Sequence, residues 1–176
     1  PDVIWAGTGE GNPRNSQSSG AGIFKSLDGG KTWNLTGLEK TKAIHRIIVD
    51  RQNSNIVYVA ALCSAWGPNC ESGVYKTLDG GNTWNKILYV NEETGCADLV
   101  VDPVNPNKLL AAMWEYGRKP WTFRSGGKGS GLYVTFDGGE TLKKRTDKDG
   151  LPKGELGRMG LAISHSKPKI IYALIE

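Results

Sequence analysis

The sequence has little cysteine and less histidine: three and two in 176 residues. No Cys-x-x-Cys pair occurs and the only histidines are His45 and His165, so a zinc site lacks a ligand set and no metal is expected. Three cysteines cannot form a disulfide framework. Cys63 and Cys70 bracket the short loop CSAWGPNC; a bridge between them stays open, since the Cα separation decides it, and would indicate an oxidising compartment. Cys96 would then be a free thiol or pair elsewhere. Long apolar runs are missing, so no membrane span is expected, and no charged-then-apolar leader opens the chain. Basic runs with interleaved aromatics are missing too, and Lys plus Arg exceeds Asp plus Glu by only four, so nucleic acid is not indicated. GTGEG (7–11) is followed by NPRNS rather than a helix start, and SGGKGSG (125–131) lacks a Gly-Lys-Ser/Thr ending. Neither is a cofactor loop, and no cofactor is expected. No stretch carries a 3.6-residue apolar stripe, which excludes helical solenoids.

What the chain has is glycine, tryptophan and repetition. An octapeptide appears as SLDGGKTW (26–33), TLDGGNTW (77–84) and, degraded at its end, TFDGGETL (135–142). Its aspartates Asp28, Asp79 and Asp137 stand 51 and 58 residues apart, a period typical of propeller blades. Each copy has the chemistry of a hairpin corner: Asp-Gly-Gly supplies a carboxylate for backbone N–H groups and glycines for positive φ. Turn architecture accounts for Asp28, Gly30, Thr32 and Trp33, for Asp79, Gly81, Thr83 and Trp84, and for Asp137, Gly139 and Thr141, without invoking catalysis or metal binding.

Between these boxes a second hairpin recurs: RIIVDRQNSNIVYVAA (46–61), DLVVDPVNPNKLLAAM (98–113) and, more loosely, MGLAISHSKPKIIYALI (159–175). With strands A to D assigned to a blade, the chain reads B, C, D, two complete blades, then A, B. The expected fold is all-β: one partial propeller domain of four-stranded antiparallel blades, an arc of about three, in pieces near 1–37, 45–90, 97–146 and 157–176. Both ends read as strands, as expected of a piece of something longer. The remaining blades of a parent propeller, or self-association, are the expected partners of its open edges.

In such a meander the A–B turns and aspartate boxes lie at one end and the long B–C and D–A connections at the other. Long loops on a rigid scaffold are where binding is normally placed. They hold Glu10 and Arg14, then Trp66, then Trp114, Glu115, Tyr116, Arg118 and Trp121. Aromatic rings with Arg and Glu suit a sugar ring or a peptide group, although each tryptophan equally suits blade-edge packing. Where strand A begins, nearest a channel, Arg46, Asp98 and Arg158 fall at related positions; an anion site and internal salt bridges are both open. Candidate carboxylates for hydrolysis are Asp98, Glu115 and Glu10.

The segments GIFKSLDGGKTW, IVYVAALCSAWGPN, GVYKTLDGGNTW, MWEYGRKPW and SGGKGSGLYVTFDGG, nearly the whole chain, resemble the aspartate-box (BNR) repeat proteins, specifically the sortilin-like propellers of large secreted bacterial proteins often labelled glycosyl hydrolase. The resemblance implies a larger extracytoplasmic propeller, secreted, periplasmic or on the cell surface, with a ligand face for glycan, peptide or partner protein opposite the boxes. It does not imply hydrolysis. Sialidases of similar architecture use an arginine triad announced by Phe/Tyr-Arg-Ile-Pro, and HRII (45–48) and TFRSG (122–126) are superficial echoes. If the protein is an enzyme, a glycosidase with two opposed carboxylates is the expectation.

Overall fold

A computed structural model describes residues 2–14 and 16–176; Pro1 of the expected opening strand, and Asn15, lie outside them. Four antiparallel sheets succeed one another along the chain. The first holds β1 (Ile4–Gly7), β2 (Ile23–Ser26) and β3 (Asn34–Leu35), and the second β4 (Ala43–Val49), β5 (Val57–Leu62), β6 (Gly73–Thr77) and β7 (Asn85–Leu88). The third holds β8 (Thr94–Val101), β9 (Leu109–Lys119), β11 (Gly131–Thr135) and β12 (Lys143–Lys144), and extends through β10 (Thr122–Ser125) on β9. The fourth is β13 (Met159–Ile163) with β14 (Ile171–Ile175). One 3-10 turn, Asp147–Asp149, is the helical part of the described residues.

Strand alternation explains the packing. In β5, VYVAAL, every residue is buried, because both faces of the sheet are covered. Val57, Val59 and Ala61 face Ile23 of the first sheet. Tyr58 and Ala60 face Leu99, Leu109 and Met113 of the third. A further cluster joins Leu110, Ala112 and Leu132 to Met159 and Leu161 of the fourth. Sheets stacked face to face in chain order, each a meander, are the blades of a propeller arc.

The aspartate turns are built alike. Thr32 donates its N–H (2.9 Å) and hydroxyl (2.7 Å) to the two oxygens of Asp28, Ser26 donates to the same carboxylate (2.8 Å), and Gly30 N–H donates back to Ser26 Oγ (2.8 Å). Thr77, Asp79, Gly81 and Thr83 repeat the pattern, as do Thr135, Asp137, Gly139 and Thr141. The paired glycines sit at φ values from 70° to 97°, where a Cβ is strained. Donors from Thr32 and Ser26 hold Asp28 down at about 2; Asp79 and Asp137 are lowered further by their threonines. Trp84 donates to Thr36 of the preceding blade (2.8 Å) and meets Trp5 edge-on at 6.2 Å. Trp33 donates to Gly30 within its own turn and is 42% exposed.

Candidate ligand-binding face

The connections opposite the aspartate turns interlock. Gly20 N–H donates to the Lys42 carbonyl, Asn69 N–H to Glu92, and Arg118 N–H to Ala65. The stretch from Trp114 to Ser130, expected as a loop, is largely strand. β9 runs beyond the blade body and pairs with β10 from Tyr116 opposite Ser125 to Lys119 opposite Thr122, around a tip at Pro120 and Trp121. Its residues alternate: Trp114 and Tyr116 turn inward, Arg118 and Trp121 stand near the tip. That period of two in WEYGR was the available signal.

The inward residues correct the expectation that they present a surface. Trp114 and Tyr116 are 2% and 1% exposed, stacked with ring centres 4.2 Å apart, and packed with Ala43, Leu62 and Ala97. Trp114 Nε1 donates to Ser125 Oγ and Tyr116 donates to the Cys63 carbonyl; a ligand cannot touch rings so covered. The Cys63–Cys70 bridge does not form either: all three cysteines are free, and the buried Cys63 thiol donates to the Glu93 carbonyl. Burial pushes that thiol up to about 12.

The candidate carboxylates are all engaged. Glu115 is 7% exposed, accepts from Arg124 Nη1 (2.6 Å) and Gly129 N–H (2.8 Å), and so fastens the loop after β10. Asp98, 6% exposed, accepts Arg46 Nε and Nη2, its neighbour Leu99 N–H (2.9 Å) and Leu161 N–H (2.8 Å). Register shifts just before Arg46 and Asp98 mark one extra residue in each strand, His45 and Ala97, a bulge that re-aims the next side chain along. Of the two readings open for these inner charges, the geometry shows an internal salt bridge between Arg46 and Asp98. Glu10 accepts from Arg14 and from Ser18 N–H (2.9 Å), and its carboxyl lies below the usual range chiefly through Arg14. Arg158 reaches the Gly11 carbonyl (3.4 Å) and His45 Nε2 (3.3 Å) and lies 5.2 Å from the Trp114 ring centre. Burial, then Arg158 and Arg46, lower the His45 pKa. Among the described residues no three of His, Cys, Asp and Glu cluster as a metal site would require.

Between the loop of the second blade and the β9–β10 hairpin lies an accessible groove of about 460 Å³, lined among others by Trp66, Glu93, Arg118, Lys119, Thr122 and Arg124. Trp66 is 50% exposed and Trp121, at the hairpin tip, 80%. Arg118 lies over Phe123, 5.5 Å from its ring centre, and Arg124 bridges Glu115 to Glu93 (2.9 Å). Glu93, Lys119 and Arg124 were not singled out by sequence reasoning. Only the pairing of β10 on β9 brings Arg124 to the two glutamates, and TFRS by itself has no signature. The site offers one aromatic face beside several charged donors and an acceptor.

The fold and this face define an arc of a β-propeller with an aromatic and charged groove at its long-loop end. The chain belongs to the Sortilin-Vps10 family (sortilin, neurotensin receptor 3), whose profile matches residues 21–151. It is 35% identical over 92 residues to a probable oligoxyloglucan-reducing end-specific xyloglucanase of Neosartorya fischeri, covering 49% of this chain and 9% of that protein. It is 31% identical over 112 residues to a xyloglucanase of Hypocrea jecorina, covering 59% and 12%. The chain thus spans about a tenth of the length of these relatives. The GH74 xyloglucanase from Xanthomonas campestris superposes with a TM-score of 0.66 at 12% identity, over 98% of this chain and 24% of that one. The Niastella koreensis GH74 enzyme gives 0.62 at 20% identity, over 97% and 22%. These likenesses show the fold.

Proposed function

We propose that the chain is part of a larger extracytoplasmic propeller of the aspartate-box (BNR) type and binds a glycan on its long-loop face. The half-exposed Trp66 at the groove carries this reading. A pyranose presents a C–H-rich face that suits an indole, and its hydroxyls suit Arg118, Lys119 and Thr122 as donors and Glu93 as acceptor. Trp121 extends the surface at the hairpin tip, while Arg14 lies on the neighbouring loop. Trp114 and Tyr116 serve as the floor that holds the hairpin. The relatives named xyloglucanases favour a β-glucan over a peptide or partner protein as the ligand.

Hydrolysis is the alternative, drawn from the same names; it would make the protein an O-glycosidase. Acid and base carboxylates must face each other across the scissile bond. Asp98 lies on the inner strand and Glu115 under the hairpin, each already satisfied by an arginine and backbone amides. Binding is therefore the better-supported role for this arc. Calorimetric titration with xyloglucan oligosaccharides tests it. Saturable binding that weakens about tenfold or more in Trp66→Ala is expected; no binding, with release of reducing ends from xyloglucan, would replace it with the alternative.

A further inference from the structure

Asn34-Leu35-Thr36 is the one Asn-x-Ser/Thr triplet in the sequence. It opens β3, directly after the aspartate turn of the first blade. Such a triplet is the acceptor signature of N-glycosylation and belongs on the surface of a secreted protein. Chance also produces it, and what distinguishes an acceptor is its place in the fold.

β3 is the outermost strand of its sheet, as β7 and β12 are of theirs. Asn34 is exposed, and its carboxamide has no hydrogen bond among the described residues. This exposure does not depend on where the chain begins. Asn34 lies opposite Lys25 and so on the same face of the sheet, and Lys25 reaches across to the Gly80 carbonyl of the second blade (2.9 Å). Asn34 therefore faces a neighbouring blade that is present and is still open to solvent. Asn85 holds the same place in the second blade, opposite Lys76 and directly after Trp84. That blade has a sheet packed on either side, and Asn85 is exposed too. Lys86 and Ile87 follow it, so it lacks the hydroxyl residue that Thr36 supplies.

We propose that Asn34 is an N-glycosylation site, modified in a secretory compartment that supplies an oligosaccharide carried on a lipid pyrophosphate; this rests on the extracytoplasmic placement proposed above. The Asn34 Nδ2 bonds to C1 of the first sugar and the bond from C1 to the pyrophosphate oxygen breaks. The amide gives up one proton as the lipid pyrophosphate leaves. In the folded chain Thr36 donates its N–H (2.8 Å) and its hydroxyl (3.1 Å) to the Ile23 carbonyl, and Asn34 is paired with Lys25. The triplet is tied down once β3 docks, so transfer precedes docking, on the emerging chain. The finished glycan stands on the outer rim at the aspartate-turn end. The fold accommodates it there, and the Trp66 groove at the other end stays open.

Translation of the full chain behind a cleavable secretion signal, with endoplasmic-reticulum microsomes present, tests this. One gain in mass is expected, removed by peptide N-glycosidase, with mass spectrometry of the released peptide showing Asn34 converted to aspartate. Asn34→Gln and Thr36→Val should each abolish the gain, whereas Thr36→Ser, which keeps a hydroxyl, should retain it. No gain in mass on chain that the microsomes shield from added protease would overturn the proposal. So would a gain that survives Asn34→Gln, or one indifferent to the hydroxyl at position 36. Supplying the signal separates these outcomes from the extracytoplasmic placement, which cell fractionation of the parent protein checks. A parent found in the cytoplasm would overturn that placement, and with it modification in the cell.

Discussion

Arg46 on β4 and Asp98 on β8 form a hydrogen-bonded ion pair between two blades, Nε at 3.0 Å and Nη2 at 2.9 Å from the same carboxylate oxygen. The other oxygen accepts Leu161 N–H from the fourth sheet, so one side chain ties three blades together. Asp98→Ala should lower stability by about 2 to 3 kcal/mol, toward the low end for a broken buried pair because Arg46, half exposed, can return to water. The urea midpoint should fall at unchanged slope. Loss of hydrolysis at unchanged stability would instead assign Asp98 to catalysis.

The aspartate turns predict an acid transition. Their carboxyls are depressed in the folded chain, to about 2 for Asp28 and lower for Asp79 and Asp137, against an ordinary value near 4. Stability from them is complete above about pH 4 and lost as pH falls through the folded values. Near-UV circular dichroism should report unfolding in that window. Asp79→Asn, having no such proton to take up, should flatten the dependence and lower stability at neutral pH.

His45 moves in the same sense for a different reason. Burial and the neighbouring Arg158 and Arg46 disfavour its charged form, and Asp98 opposes them. A lowered histidine contributes stability above its unfolded value of about 6.5, which declines as pH falls toward the folded value. An NMR titration should place the His45 midpoint below 6.5. Arg158→Gln should raise it.

The thiols separate cleanly. Cys70 is exposed, whereas Cys63 and Cys96 are buried and pushed up by burial. A thiol reagent should titrate one group in the native chain and all three in denaturant, with Cys70→Ser abolishing the fast one. A native mass two hydrogen atoms short would show the Cys63–Cys70 bridge instead.

Gly95 allows β8 to pass close against the end of β5. A Cβ there would meet the Cys63 nitrogen and stand 2.5 Å from Leu62 Cα, and backbone cannot step aside. Gly95→Ala should destabilise by about 1 to 3 kcal/mol, the usual cost of overpacking, measurable as a lower thermal midpoint.

The architecture was legible because its determinants are local. Asp79, its two glycines and Thr83 fall within five residues and satisfy one another, so the turn can be read without knowing what surrounds it. The unbroken apolar run VYVAAL likewise states that both faces of β5 are covered. The ligand face was less legible because burial there depends on remote partners. Trp114 has the look of a binding tryptophan until Tyr116, Ala97 and Leu62 close over it, and Glu115 that of a catalytic acid until Arg124 arrives from the far side of a hairpin. Trp66 carries the same indole and remains half open, one residue past the Ala65 carbonyl to which β9 donates through Arg118 N–H.

Lys25 donates to the Gly80 carbonyl and Lys76 to the Gly138 carbonyl, and these two contacts between successive blades bear on how the arc carries load. Tension applied between the first and third sheets crosses both lysine contacts, as well as the apolar faces between blades. At the inner seam Arg46 of β4 and the Leu161 N–H of β13 both hold the Asp98 carboxylate, so it takes up load from two neighbouring blades at once. In single-molecule extension Asp98→Ala should therefore lower the force at which the blades separate.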